Sequence, residues 1–378
     1  MKEITIPKTE TRDDHKYVFV CGLQRSGTSV LGRNVARLEN CTGFKNTGES
    51  EDEGQFLQDV YPVDAEYGGM SRFGFDPRAH RTETSALLTR ENVAKLRASW
   101  HAYWDNSKTI FVEKTPANLL MTRFLQAAFP NSYFIVIRRH PVSVSMAIRK
   151  WKACLTPLYR SFEHWLHCHK LFEQDRKYLK HVYELTYEDY VANPGKYHRE
   201  IAAFIGTRVP EPPKEDSFRI VVEWRNPPVF LRVPERAMET TSAVRSKKYF
   251  DRWSYLLSSS SFKGYYRYIA RKYEPEFAKY GYSLTKGFDL NEKVQLEINR
   301  ASNGVGALYC IGADVYAAAW RGSIRCKKWL RGTSKAILPK FIITAVREAR
   351  QKRIPAKPAG DCAELVNRQV TRQISKTL

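Results

Sequence analysis

The sequence lacks the features that mark membrane-spanning and secreted proteins. A helix that crosses a bilayer needs about 18 consecutive apolar residues, and no such run is present, so no spanning helix is expected. The first residues, MKEITIPKTETRDDHK, are polar and lack the apolar core of a secretory signal, so none is expected there. The 7 cysteines are irregularly spaced and form no disulfide framework. We therefore expect a reducing, cytoplasmic setting.

Signals for nucleic acid and for metal are also missing. Basic residues do not alternate with aromatic ones in a repeat, and no zinc-type spacing occurs, so nucleic-acid binding is not predicted. His164 and Cys168 form the one His–Cys pair at helical spacing, and we interpret this stretch as a polar helix face rather than a metal site. Positive charge, by contrast, is abundant: 62 Lys and Arg against 40 Asp and Glu give a net charge of +22. Such a field favours anionic partners.

One stretch, residues 17–38, predicts a buried strand, a glycine-rich turn and an amphipathic helix. It has the two glycines and the hydroxyl residue of a phosphate loop, at Gly22, Gly27 and Ser29. Thr28 replaces the usual lysine, and Arg25 places a cation inside the loop instead. We therefore predict that backbone N–H groups and the helix N-terminus bind phosphate. Hydrolysis of ATP or GTP is not expected.

Polar clusters follow three further predicted strands. Thr109–Val112 leads into Glu113-Lys114-Thr115-Pro116, Ser132–Ile137 into Arg138-Arg139-His140-Pro141, and His181–Thr186 into Tyr187-Glu188-Asp189. Ligands of open α/β sheets bind at the carboxyl ends of the strands. Strands that alternate with helices predict an α/β fold, a P-loop-containing parallel sheet flanked by helices. We expect the site at this edge of the sheet.

The chain is long enough for one large domain and an appendage. We predict a flexible N-terminus (1–15), a P-loop domain (16–286) and a basic, mostly helical C-terminal extension (287–378). Residues 208–235 are rich in proline and predict a loop over the site. The extension carries about half of the net charge, with an apolar segment, Ala307–Trp320, followed by a basic one. It is interpreted either as a helix lying on an anionic membrane or as a small helical packing element.

With these motifs the chain resembles the sulfotransferase superfamily, whose sulfuryl donor is 3′-phosphoadenosine 5′-phosphosulfate (PAPS). It looks closest to the bacterial carbohydrate-type and tyrosylprotein-type branches, over about residues 16–283. The resemblance implies that Lys114 neutralises the sulfuryl oxygens, that Arg139 binds the 3′-phosphate and that Tyr187 packs near the adenine. It further implies that the 5′-phosphate and the sulfuryl group are held by Gln24, Arg25, Ser26, Gly27, Thr28 and Ser29.

Two positions need a substitute for the family residue. Ala147 stands where the family pattern has a serine for the 3′-phosphate, and Ser145 is the expected replacement. Relatives use a histidine or a glutamate as the base, and no histidine occurs between His15 and His80. We therefore assign this role to a cluster of four acidic residues after the first helix, Glu49, Glu51, Asp52 and Glu53. Glu53 is the first choice because it directly precedes the segment GQFL, and Glu49 and Glu51 are the reserves.

The sequence thus predicts a PAPS-dependent sulfotransferase that needs no metal. The branch resemblance favours a hydroxyl on a glycan, glycolipid or glycosylated metabolite as the acceptor, while a protein tyrosine or a small phenol stays open. Two other classes are alternatives: a P-loop kinase-like phosphotransferase, and a non-catalytic protein that binds anions or membranes. Arg25, Lys114 and Arg139 follow three separate strands, which argues against the non-catalytic class.

Overall fold

The structure is a computed structural model that describes residues 15–149, 156–210, 218–223, 229–234 and 244–337. The flexible N-terminus predicted over 1–15 falls almost wholly outside these ranges, and the predictions for 208–235 and 287–378 fall partly outside them.

Five parallel strands form the central sheet: β1 (Lys16–Gly22), β2 (Cys41–Gly43), β3 (Ile110–Lys114), β4 (Ser132–Arg138) and β5 (Val182–Thr186). Their order is β2-β3-β1-β4-β5, so the strand before the glycine-rich turn lies at the centre. The predicted α/β fold with a parallel sheet is confirmed. The edge strand β2 was not predicted, because three residues are too few to show a periodic pattern.

Helices cover both faces of the sheet because β1 is apolar on both sides. Val18 and Val20 face a core built with α1 (Thr28–Val35), α6 (Tyr187–Ala192) and α7 (Pro194–Ile205). Phe19 and Cys21 alternate with them and face the larger core. That second core includes α2 (Arg90–His101), α3 (Thr122–Ala128), α4 (Pro141–Ile148), α5 (Leu158–Arg176), α8 (Val244–Ser258) and α9 (Lys263–Ala278).

The structure differs from the prediction for the proline-rich stretch at 208–235. This stretch, predicted as a loop, contains an antiparallel pair, β6 (Phe218–Glu223) and β7 (Val229–Pro234). Helix α2 begins at Arg90, because the Thr89 hydroxyl accepts a hydrogen bond from Asn92 N–H at 3.2 Å and caps the helix. Helices α8 and α9 are separate elements.

The C-terminal part is helical, with α10 (Glu292–Asn299) and α11 (Asn303–Ile337). The first compact unit of the chain ends at Ala317 and the second begins at Ala318, so residues 287–317 belong to the unit that contains the sheet. The division at residue 286 stays a prediction. In the part of the chain with assigned structure, no helix combines the length and the apolar character needed to cross a bilayer.

Candidate active site

The glycine-rich turn after β1 adopts the shape that phosphate binding requires. Arg25 and Gly27 have left-handed backbone conformations, with φ of 72° and 101°, and α1 begins at Thr28 with no side chain capping its first N–H groups. The Ser26 hydroxyl is buried and has no hydrogen-bond partner among the described residues. Open N–H groups at a helix N-terminus attract an anion. The geometry of this loop is compatible with an anionic oxygen.

Arg139 and Tyr187 lie against this loop although they follow different strands. The Arg139 guanidinium is 3.9 Å from the centre of the Tyr187 ring, and its Nη1 donates to the Arg25 carbonyl at 2.9 Å. The Tyr187 ring packs directly on Gly27 of the loop, and only glycine fits there, because a Cβ at this position would stand 2.5 Å from the ring. Both side chains are buried. The structure thus brings together the loop, the residue after β4 and the residue after β5.

Lys114 ends β3 and forms an ion pair with Glu53. Its Nζ is 3.0 Å from Glu53 Oε1 and donates to the Glu51 carbonyl at 3.0 Å. Glu53 is 8% exposed, and Gln55 Nε2 donates to its other oxygen at 2.7 Å. Burial raises the pKa of Glu53, and the charge of Lys114 offsets only part of that rise. A carboxylate with a raised pKa is a stronger proton acceptor than an exposed one.

The other members of the acidic cluster have different surroundings. Glu51 is exposed and accepts a hydrogen bond from Ser29 Oγ at 3.2 Å. Burial alone would raise the pKa of Asp52, but hydrogen bonds from Thr47 and Asn46 outweigh it and lower that pKa. Glu49 is exposed. Glu53 is therefore the one buried carboxylate of this cluster.

Glu113 lies next to the ion pair and holds the backbone that carries Glu53. It is 1% exposed and accepts hydrogen bonds from Gly54 N–H at 2.9 Å, from Thr115 Oγ1 at 2.5 Å and from Asn118 Nδ2. Burial raises its pKa to about 7. Gly54 is required here, since a Cβ would stand 2.6 Å from Glu113 Oε1.

Helix α4 contains the serine expected to replace the missing one. Ser143 and Ser145 are both buried, and neither hydroxyl has a hydrogen-bond partner among the described residues. Ala147 lies in the same helix and is also buried. The assignment of Ser145 to the 3′-phosphate stays a prediction.

A polar network that sequence reasoning missed connects the loop to Glu53. Gln24 Nε2 donates to Asp64 Oδ2 at 2.5 Å, Asp64 N–H donates to Gln55 Oε1 at 3.0 Å, and Gln55 then donates to Glu53. Asp64 lies in an irregular stretch with no local pattern that would single it out. Within the described ranges, no group of three or more His, Cys, Asp or Glu side chains is arranged to hold a metal ion.

Several solved structures are similar to parts of this chain. The sulfotransferase domain from the Synechococcus PCC 7002 olefin synthase is 18% identical, with a TM-score of 0.37 over 54% of this chain and 78% of that chain. The sulfotransferase domain from the curacin biosynthetic pathway is 15% identical, with a TM-score of 0.38 over 71% and 98%. A sulfotransferase from Alicyclobacillus acidocaldarius is 14% identical, with a TM-score of 0.35 over 62% and 89%.

No curated protein matches the sequence significantly. The model of the Sulfotransferase family, however, matches residues 18–211. This range begins in β1, contains the loop, Glu53, Lys114, Arg139 and Tyr187, and covers just over half of the chain. The chain therefore belongs to the Sulfotransferase family.

Proposed function

We propose that this protein transfers a sulfuryl group from PAPS to an acceptor hydroxyl, with Glu53 as the base. The observation that carries the proposal is the meeting of four chain segments at one edge of the sheet. The loop lies there after β1, the Lys114–Glu53 pair at the end of β3, and Arg139 and Tyr187 after β4 and β5. Family members generally use PAPS, which supports this donor.

The donor side of the site fits a molecule with two separated anionic groups. Loop residues 24–29 would hold the 5′-phosphate and the sulfuryl group, with the unpartnered Ser26 hydroxyl as a further donor. Arg139 would bind the 3′-phosphate, since a guanidinium matches two anionic oxygens at once. Tyr187 would keep that guanidinium in place by stacking on it. PAPS supplies an activated sulfuryl group on its 5′-phosphate.

The acceptor side centres on the ion pair. Glu53 takes the proton of the acceptor hydroxyl while the new oxygen–sulfur bond forms and the bond from sulfur to the phosphate oxygen breaks. Lys114 stabilises negative charge on the sulfuryl and leaving oxygens, together with Arg25 and the loop N–H groups. The pair keeps both side chains in position before a substrate arrives, because each neutralises the buried charge of the other.

The acceptor is proposed to be a sugar hydroxyl on a glycan, glycolipid or glycosylated metabolite. A cytoplasmic location with peripheral contact to an anionic membrane is part of the same proposal. Leu308, Ile311 and Val315 on α11 are each more than half exposed, and the sequence after Trp320 is basic. An exposed apolar helix face next to basic residues suits an anionic bilayer surface.

Calorimetric titration with 3′-phosphoadenosine 5′-phosphate (PAP), with and without magnesium, tests the donor assignment. We expect binding that does not need the metal and that weakens at least ten-fold in Arg139→Ala, by loss of a charge-assisted contact. Arg199→Ala is a matched control, since Arg199 is exposed on α7. Magnesium-dependent binding of ATP without binding of PAP would contradict the proposal and favour a kinase.

Flotation with phosphatidylcholine vesicles, with and without phosphatidylserine, tests the membrane contact. The wild type should float with the anionic vesicles, and Ile311→Glu should not. Tyr103→Glu is the control, because Tyr103 is exposed beside α2 and away from α11 in the sequence. Equal flotation of Ile311→Glu would contradict a contact through α11.

A further inference from the structure

Gln55 is a buried glutamine whose side chain binds the carboxylate of Glu53. It is 3% exposed and belongs to the short 3-10 helix Gly54–Phe56, which directly follows Glu53. Its Nε2 donates to Glu53 Oε2 at 2.7 Å, while Lys114 Nζ donates to the other oxygen, Oε1, at 3.0 Å. Each carboxylate oxygen therefore has one fixed donor, and each keeps a second lone pair for another hydrogen bond.

The amide of Gln55 has its orientation imposed by the backbone. Its Oε1 accepts a hydrogen bond from the Asp64 N–H at 3.0 Å. A backbone N–H only donates, so the amide oxygen must face Asp64 and the NH2 group must face Glu53. The reversed amide would set its oxygen against a carboxylate oxygen and its NH2 group against an N–H. The backbone of Asp64 therefore dictates that Gln55 donates to Glu53.

The main chain of Gln55 is held as well as its side chain. Its N–H donates to Thr115 Oγ1 at 3.3 Å, directly after β3, and its carbonyl accepts from Gln58 Nε2 at 3.0 Å. Asp64, which orients the amide, is held in turn by Gln24 of the glycine-rich loop, whose Nε2 lies 2.5 Å from Asp64 Oδ2. The donor to Glu53 is thus in place before a substrate arrives, as a preorganised site requires.

The groups around Glu53 act on its ionisation in opposite directions. Burial raises its pKa most and the charge of Asp64 adds to that rise, whereas the charge and the hydrogen bond of Lys114 and the hydrogen bond of Gln55 lower it. Glu113 is the other charged neighbour: burial raises its pKa, and the charge of Glu53 adds to that rise. Gln55 therefore acts together with Lys114 in favour of the ionised carboxylate, by donating to it.

We propose that Gln55 is the positioning residue of the base, because its amide fixes the plane of the Glu53 carboxylate and keeps it ionised until the acceptor hydroxyl arrives. This inference rests on the proposed function, in which Glu53 takes the proton of that hydroxyl. A base acts only in its deprotonated form, and a donated hydrogen bond stabilises that form. Lys114 alone holds one oxygen and leaves the carboxyl group free to turn about it. The second donor, Gln55, removes that freedom.

Carboxyl ¹³C NMR on protein containing glutamate labelled at its side-chain carboxyl carbon follows Glu53 directly, without an acceptor. The signal of Glu53 is the one that disappears in Glu53→Gln. Gln55→Met keeps the length of the side chain but cannot donate, so the midpoint of the Glu53 titration should move to higher pH by at least about one unit, a ten-fold change in the ionisation constant.

Gln58 provides the matched control within the same segment. Its Nε2 donates to the carbonyls of Gln55 at 3.0 Å and of Tyr61 at 2.8 Å, and its Oε1 accepts from the N–H groups of Val60 and Tyr61. Gln58→Met thus removes hydrogen bonds to the backbone and should leave the midpoint of Glu53 where it is. An equal shift in Gln58→Met would overturn the proposal, because it would mean that any loosening of this segment has the same effect.

Calorimetry with PAP separates the possible failures. If PAP does not bind to the wild type, the proposed function fails, whatever the titration shows. If PAP binds and Glu53 titrates at the same pH in the wild type and in Gln55→Met, the role of Gln55 alone is wrong. Thermal unfolding checks that Gln55→Met is folded. Gln55→Glu is the second variant: it keeps the shape but turns an oxygen toward Glu53, so the midpoint should rise further, and an unchanged midpoint would again overturn the proposal.

Discussion

Ionisation of Glu113 should destabilise the fold as the pH rises, and Glu113→Gln should remove that effect. Burial raises the pKa of this carboxyl from 4.5 to about 7, although hydrogen bonds from Thr115 and Gly54 N–H offset part of the rise. Because the folded pKa exceeds the unfolded one, the stabilising contribution is complete below pH 4.5 and is lost as the pH rises through about 7. The total is about 3 kcal/mol, of which roughly 2–3 kcal/mol falls between pH 5 and pH 8.

Urea unfolding at pH 5 and at pH 8 measures this contribution as a difference between two proteins. The free energy of unfolding of the wild type, minus that of Glu113→Gln, should fall by about 2–3 kcal/mol between the two pH values. Other titrating groups are common to both proteins and cancel. Glu91→Gln is the control, because Glu91 is exposed and hydrogen bonds from its own N–H and from Thr89 lower its pKa. Identical pH dependence in the wild type and Glu113→Gln would refute the reasoning.

Three further predictions concern the loop and the ion pair. Gly27→Ala should weaken PAP binding and lower Tm, because residue 27 has a φ of 101° and an added Cβ would stand 2.5 Å from the Tyr187 ring. Gly48→Ala is the control: its φ is also positive, but an added Cβ would meet no atom within 4 Å, so this variant should show the effect of backbone strain alone. Glu53→Gln should lower kcat about 10²–10⁴-fold while calorimetric PAP binding is kept; unchanged kcat would exclude it as the base. Lys114→Met should lower the free energy of unfolding, measured with urea, by about 3–5 kcal/mol, because it leaves the Glu53 carboxylate buried without its partner. The double variant with Glu53→Gln should regain part of that free energy. If the effects of the two substitutions simply add, the two side chains are not coupled.

The sequence was sufficient to predict the sheet where strands are buried on both faces. β1 and β4 are continuous apolar runs, which the positions of both cores explain. β6 and β7 were missed because the prolines of this stretch, among them Pro227 and Pro228 between the two strands in the sequence, indicate a loop. β2 pairs with β3 at the edge, and such pairing depends on a neighbour that is distant in the sequence. The sequence around β2 therefore does not indicate that it forms a strand.

The sequence predicted the positions of those candidate site residues that stand in a recognisable motif at the end of a strand. Lys114 and Arg139 follow strands directly, so their placement at one edge follows from the parallel order. The choice of Glu53 among four acidic residues came from its neighbours in the sequence, and burial now distinguishes it from them. Asp64 could not be identified from the sequence, since it reaches the site through its contact with Gln24 rather than through any pattern around it.

The position of β1 between β3 and β4 gives the site two unequal ends. A donor held by the loop would point its reactive end toward Lys114 on the β3 side and its nucleoside toward Arg139 and Tyr187 on the β4–β5 side. Among the described residues, an acceptor would then meet the segment that joins α1 to α2. Mutations in that segment could change which alcohol is modified without disturbing how the nucleotide is held. In the proposed mechanism, donor binding and acceptor choice would thus depend on different segments of the chain.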